Sequence, residues 1–250
     1  MSAIAMTDDL FFNRAGLDRS RAEGIVADAL KGGDDGELFL EFNQSEARSF
    51  DDGKLKSASF DVTQGFGLRA VAGEAHAYAH ASELSEAALK RAAATVKAVH
   101  AGHGGTLAEP PVGTNRHLYS DDNPLAKLDF SAKVEILQQI DAYARAKDPR
   151  VRQVMASISG NWQAVQIIRG DGSRAADIRP LVRLNVSIMV EENGRMETGS
   201  HGTGGRFAYE HVIDPATWKA GVDEALRQAL VNLGSVPAPA GEMQVVLGPG

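Results

Sequence analysis

The hydrophobic positions of this chain change period several times along its 250 residues. Behind Asp18, a residue suited to capping a helix, RSRAEGIVADALKGG carries Ile25, Val26, Ala29 and Leu30 on one stripe and stops at Gly32-Gly33. Four or five short strands are predicted next: ELFLEF, ARSFDD, KLKSASF, GFGLRAV and EAHAYAH. Asp52-Gly53 is the sharpest hairpin signal among them, and Ala72-Gly73 marks another turn. A second helix is predicted over SEAALKRAAATVKAVHA, beginning near Ser85, with Leu89, Ala92, Val96 and Val99 at helical spacing. Residues 101–125 are rich in Gly, Pro, Asn and Asp without a sustained period, and read as a linker or long surface loop.

The pattern then repeats. The stretch SAKVEILQQIDAYARAK places Val134, Leu137, Ile140 and Ala144 at helical spacing and ends before Asp148-Pro149. Strands are predicted over VRQVMASIS, WQAVQIIR, SRAADIR, LVRLNVSIMVEE and RMETGSHG, with turns at Gly170-Asp171-Gly172 and Asn193-Gly194. Asp214-Pro215 opens a last helix whose buried side is Trp218, Val222, Leu226 and Leu230. SVPAPAG is a spacer, and MQVVLGPG begins another strand.

The clearest element is 181–191, where Val182, Leu184, Val186, Ile188 and Val190 alternate with Arg183, Asn185, Ser187 and Met189. A period of two puts the first set under a helix layer and leaves the second face wet or covered by something polar. Hairpins rather than crossover helices join the strands, so the expected fold class is α+β: two helix–antiparallel meander–helix subdomains. Their expected limits are 1–100 for the first unit, 101–125 for the linker and 126–233 for the second unit, with 234–250 holding the spacer and the start of a further domain.

Composition narrows the class. The chain has 33 acidic and 26 basic side chains, a net charge of -7, 43% hydrophobic residues and no cysteine. That is an ordinary globular composition, with no disulfide framework and no thiol nucleophile or thiolate metal site in these residues. No apolar run reaches the ~18 residues of a membrane span, and MSAIAMTDDLFFN lacks the basic and apolar regions of a secretory signal, so a cytoplasmic location is expected. The acidic balance argues against direct nucleic-acid binding over a broad surface.

Candidate chemistry is sparse. Gly65-Phe66-Gly67-Leu68-Arg69-Ala70 matches a dinucleotide fingerprint in form, but that fingerprint needs a strand-to-helix turn, and these glycines lie inside a strand pattern. A bulge or close backbone approach explains them better. His76 and His80 share a strand face roughly 13 Å apart, too far for one zinc ion. His100 and His103 end a helix in a Gly-rich loop without an acidic neighbour in sequence, and read as a dipole contact and a solvated loop. The most unusual segment is 199–206, where Gly199, Gly202, Gly204 and Gly205 crowd together. Glycine is costly in a strand, so this run suggests a backbone that something approaches closely. His201, Gly202, Gly204, Gly205 and Arg206 are the candidate substrate-contacting residues, for an extended peptide or an anion. A flexible hairpin arm without a ligand is the equally open alternative. Neither G-x-S-x-G nor H-E-x-x-H occurs, and no catalytic triad stands out.

Several blocks together resemble one family. LFLEF, RSF, DGKLKS and SFDVTQGFGLRAVAGE followed by HAYA are similar to the first domain of the TldD/PmbA proteins, once called modulators of DNA gyrase. DPRVRQVMASISG and DGSRAADIRPLVRLNVSIMVEENGRMETGSHGTGGRFAYE resemble their second domain on the TldD side, and ALVNLGSVPAPAGEMQVVLGPG resembles the entry to a third. The resemblance implies a zinc metallopeptidase in which a His-Glu-x-x-x-His helix and a distant cysteine hold the metal. Those residues have no counterpart here. The chain is therefore expected to be the non-catalytic N-terminal portion, ending on the first strand of the catalytic domain, binding no metal itself and inactive alone. Unfolded peptides are the implied substrate, and a paralogous PmbA-like subunit or a second copy the implied partner. The alternative is a non-enzymatic binding or regulatory module linked to gyrase or toxin–antitoxin control.

Overall fold

The computed structural model describes residues 2–100, 102–109 and 118–248, without the side chain of His100. Within these, six long strands form a single antiparallel sheet. They are β1 (Asp35–Asp51), β2 (Lys54–Ala72), β3 (Ala75–Ala81), β4 (Val151–Arg169), β5 (Arg174–Glu192) and β6 (Arg195–Gly205), in the spatial order β3-β2-β1-β4-β5-β6. The helices are α1 (Ala3–Asp8), which runs on as a wider π-type turn over Asp9–Asn13, α2 (Arg19–Leu30), α3 (Glu86–Lys97), α4 (Phe130–Lys147), the single turn α5 (Glu210–Ile213) and α6 (Pro215–Leu233).

The order helix, three-stranded meander, helix does occur twice, and the α+β class holds. The short strands do not. ELFLEF and ARSFDD are one strand of 17 residues, KLKSASF and GFGLRAV one of 19, and four predicted strands of the second half merge into two of 19. The polar stretches Asn43-Gln44-Ser45 and Thr63-Gln64 look like breaks in sequence, yet they stay in the ladder because paired neighbours satisfy their backbone groups. The two meanders are also joined: β1 pairs with β4 from Glu37↔Arg169 to Asp51↔Met155.

Local signals agree with the structure where the chemistry is local. Asp52 (φ 48°) and Gly53 (φ 78°), then Asn193 (φ 53°) and Gly194 (φ 80°), form hairpin turns that need positive φ at both positions. Asp18, Ser85 and Asp214 cap their helices by accepting from the amides of Arg21, Ala88 and Thr217. Residues 243–247, expected as a strand, form none, because among the described residues no strand lies alongside to pair with them; Val246 and Leu247 are instead about nine-tenths exposed. The N-terminal residues pass unnoticed in sequence, yet Leu10, Phe11 and Phe12 are buried. The described part of the 101–125 segment is also tied down: Gly105 and Ala108 donate to the carbonyls of Gly32 and Asp34.

The helices pack against the even-numbered side chains of β1, β2, β4 and β5, and against the odd-numbered positions of β3 and β6 that lie in register with them. One apolar cluster joins α2 and α3 to Leu38, Leu40, Leu68, Trp162 and Ile168. A second joins α4 and α6 to Phe50, Val154, Ile158 and the alternating valines, leucine and isoleucine of β5. The opposite face is polar, as the 181–191 pattern predicts. Asn161 donates to Asn43 (2.6 Å), Gln163 to Glu41 (3.0 Å) and Asn185 to Ser157 (3.4 Å) across neighbouring strands. Because β3 pairs only with residues 66–72 of β2, the preceding half of β2 is a free edge guarded by Lys54 and Lys56.

Candidate functional site

The Gly-rich segment is the end of β6, an outer strand of the sheet with β5 as its only strand neighbour among the described residues. Registers His201↔Val186, Gly202↔Asn185, Gly204↔Arg183 and Gly205↔Val182 divide the candidate residues between two faces. His201 lies with Val186 on the helix side, where the Cα of Gly221 in α6 faces its ring; a Cβ there would stand 2.9 Å from His201 Cδ2. Gly199 is the companion contact: a Cβ on it would strike Ala225 O and stand 2.5 Å from Ala229 N. These two glycines let α6 lie directly on β6, so part of the glycine demand comes from internal packing.

Gly202 and Gly204 are on the polar face. Arg183 donates to Asn185 Oδ1 (2.8 Å), and both side chains lean over Gly202, where a Cβ would be 2.7 Å from each. A Cβ on Gly204 would run into the carbonyl oxygen of Val182. Gly205 is packed by Phe207. Arg206 lies beyond the strand, its guanidinium 5.3 Å over the ring of Tyr119. Burial first, and then donation to Asp177 (2.8 Å), raise the Tyr119 phenol above its ordinary value. Only Gly202 and Gly204 of the five candidates therefore share a surface. Gly202, with His201 beside it in the strand, borders a shallow cleft of about 280 Å³ lined also by Met155, Ser157, Arg183, Asn185 and Ser200.

Sequence reasoning missed a buried polar node between the two apolar clusters. Glu46 accepts from Lys133 Nζ (2.5 Å) and from Tyr209 Oη (2.7 Å) through one oxygen. Arg48 Nη1 stands 2.9 Å from its other oxygen, as an ion pair off hydrogen-bond alignment, and Arg48 Nε has no hydrogen-bond partner among the described residues. All four residues are at most 7% exposed. The missing side chain of Gly160 makes room for the Tyr209 hydroxyl. Burial, reinforced by Glu46, pushes the Tyr209 phenol far up, so it stays a donor. A signal for the node exists in the sequence: Lys133 stands at helical spacing with Leu137, Ile140 and Ala144, and takes the buried slot expected for Val134. Glu46 and Arg48 likewise share the parity of Leu38, Leu40 and Phe50.

Among the described residues no group of three or more His, Asp or Glu is placed to hold a metal ion. His76 and His80 lie on one strand as expected, with His80 stacked on Tyr78 at 5.7 Å. His103 does have an acidic neighbour, brought in by folding rather than by sequence: its Nε2 is 2.8 Å from Asp34 Oδ2. The side chain of His100 lies outside the described residues.

The chain folds as a one-sided α+β sheet with helices on its apolar face. Comparison with known proteins gives the family to which this fold belongs. Residues 36–99 match the PmbA/TldA metallopeptidase domain 1, and residues 123–233 match the central domain of the same family. The chain belongs to the TldD/PmbA family. It is 43% identical over 221 residues to the Metalloprotease TldD homolog of Haemophilus influenzae, covering 86% of this chain and 46% of that protein. The homolog from Buchnera aphidicola subsp. Schizaphis graminum is 35% identical, with 87% and 46% covered. The chain thus spans about half the length of the curated relatives it matches. In fold it resembles a putative modulator of DNA gyrase from Bacteroides thetaiotaomicron (TM-score 0.69, 16% identity, 88% of this chain and 51% of that one). TldE from Thermococcus kodakarensis is similar too (TM-score 0.67, 13% identity, 84% and 47%).

Proposed function

We propose that this chain is the substrate-handling, non-catalytic portion of a TldD-like zinc metallopeptidase acting on unfolded peptides in the cytoplasm. The match to domain 1 and the central domain of the family, in that order, carries this reading. The metal and the hydrolytic step belong to residues other than those described here. The binding role rests on β6. It is an 11-residue outer strand with β5 as its only strand neighbour among the described residues. Side chains of α6 occupy its outer side at Thr198 and Ser200, where Asn232 donates to the Thr198 carbonyl and Gln228 accepts from the Ser200 amide. The Gly202–Gly205 end is the part that suits the addition of an extended peptide as a further strand. Gly202 and Gly204 leave the adjoining polar face low, so a peptide side chain can lie against Arg183 and Asn185. A homologous subunit, PmbA-like or a second copy, completes the assembly. No helix is long and apolar enough to cross a membrane.

Two measurements test the proposal. The 250-residue chain should not hydrolyse unfolded peptides, whereas the longer reading frame containing it should do so in a chelator-sensitive manner; chelator-sensitive cleavage by the short chain overturns the division of labour. In that longer protein, Gly202→Val displaces only the flexible ends of Arg183 and Asn185. It should raise KM for peptides about tenfold, the equivalent of one good contact, with kcat little changed. An unaltered KM in a folded variant removes β6 from the binding role.

A further inference from the structure

The glycines of the Gly65-Phe66-Gly67 motif make a second feature on the polar face, at the opposite side of the sheet from β6. Three strands set its rows. Phe39 of β1, Gly67 of β2 and His80 of β3 stand in register, and Glu41 pairs with Gly65 in the next row. Adjacent strands are about 4.8 Å apart, so side chains of β1 and β3 face each other across roughly 10 Å of bare backbone. Tyr78 leans into that space: a Cβ on Gly67 would fall on its hydroxyl and within 2.7 Å of its ring edge. A Cβ on Gly65 would be 2.7 Å from Ala81 O. The result is a cleft of about 320 Å³ with Phe39, Tyr78 and His80 as aromatic walls and Glu41, Thr63 and Ser82 as polar groups.

Its electrostatics are one-sided. The neighbouring carboxylates Asp35 and Glu37 are both held by Arg69, each at 2.8 Å. Glu41, half-buried in the same sheet face, accepts only the neutral amide of Gln163 at 3.0 Å, and among the described residues no lysine or arginine is in ion-pair range of it. A partly buried carboxylate without a cation, beside aromatic rings whose faces attract positive charge, lacks one partner. A single carboxylate cannot satisfy a metal ion, which needs several ligands. We propose that this cleft is a binding site for an organic cation, an ammonium or guanidinium group carried by a polypeptide or by a small amine. The cation pairs with Glu41 and lies against Tyr78 and Phe39, and the missing side chain of Gly67 lets Tyr78 lie over the strand as one wall of the site. This goes beyond the peptidase reading and does not depend on it.

The test is titration of the 250-residue chain, followed by calorimetry and by backbone amide NMR. The cationic probes are a terminally blocked alanine pentapeptide with one central lysine, an unblocked alanine pentapeptide amide, and agmatine. The controls are the lysine peptide acetylated on its side chain and the same peptide with glutamate. Cationic probes should move the amides of Gly65, Gly67 and His80, and the two controls should not. The tightest of the three names the source of the cation. Glu41→Gln keeps a partner for Gln163 and should weaken binding about tenfold, the loss of one charge-assisted contact. Tyr78→Leu should weaken it about threefold. Equal binding of lysine and acetyl-lysine peptides, wild-type affinity in folded Glu41→Gln, shifts confined to other residues, or no binding at millimolar probe would each overturn the site.

Discussion

At the scale of single residues, the molecule hangs most on Glu46. One carboxylate holds a lysine, an arginine and a tyrosine where two apolar clusters meet. Glu46→Gln leaves two buried cations uncompensated and should cost about 3–5 kcal/mol in urea unfolding, whereas Tyr209→Phe should cost about 1.5–3 kcal/mol. A loss below about 1 kcal/mol for Glu46→Gln would show that water reaches the node. The sequence signals only polar residues at core-facing positions, and each looks like a lapse in the pattern until its partners are brought from distant parts of the chain. Acid sensitivity belongs to this scale too. Burial alone would raise the Asp35 carboxyl, but the Gly36 amide and the Arg169 and Arg69 guanidinium groups outweigh it and hold it below its ordinary 3.8. Burial opposes the Asp8 shift in the same way, and Gln166 and Arg174 prevail. A carboxylate depressed in the folded state stabilises fully above its unfolded pKa and loses that contribution as pH falls through its folded value. The melting temperature should therefore hold down to about pH 5 and drop steeply below pH 4. Asp35→Asn should flatten that drop, as followed by circular dichroism.

At the scale of elements, turns and caps were readable and strand lengths were not. A turn such as Asn193-Gly194 is decided by the φ tolerance of two adjacent residues, so its chemistry is local. The length of β1 or β2 depends on whether a neighbouring strand continues beside its polar middle, and that neighbour lies far off in sequence. The Gly-rich segment combines both cases. Its glycines signalled close approach, but which atoms approach was settled by α6 lying on Gly199 and by the β5 backbone beside Gly204. Gly204→Ala should therefore destabilise the fold by about 1–3 kcal/mol, since the Val182 carbonyl cannot move aside within a ladder. Gly202→Ala, facing only side-chain ends, should stay within about 0.5 kcal/mol of the parent. Thermal unfolding of the two variants side by side checks the contrast, and equal losses would refute it.

At the scale of the whole molecule, the joining of two meanders through β1 and β4 makes one sheet of what the chain presents as two similar passages. Each apolar cluster contains one of the two tryptophans, Trp162 in the first and Trp218 in the second. Single-tryptophan variants, Trp162→Phe and Trp218→Phe, should report the same urea midpoint as far-UV circular dichroism, because neither cluster can open without stripping the shared β1–β4 ladder. Separate midpoints would show two independently folding units. The sequence by itself determined the α+β class, helices α2, α3, α4 and α6 with the caps Asp18 and Asp214, the hairpin turns, the apolar and polar faces of β5 and the family, since each comes from short-range periodicity, turn chemistry or residue order. Only the tertiary structure decided the merging of the meanders, the ion node at Glu46, the division of the Gly-rich residues between two faces and the place of Glu41 in an aromatic cleft with no cation beside it among the described residues. All of these depend on which distant strands and helices come to lie side by side, and no periodicity within one segment carries that information.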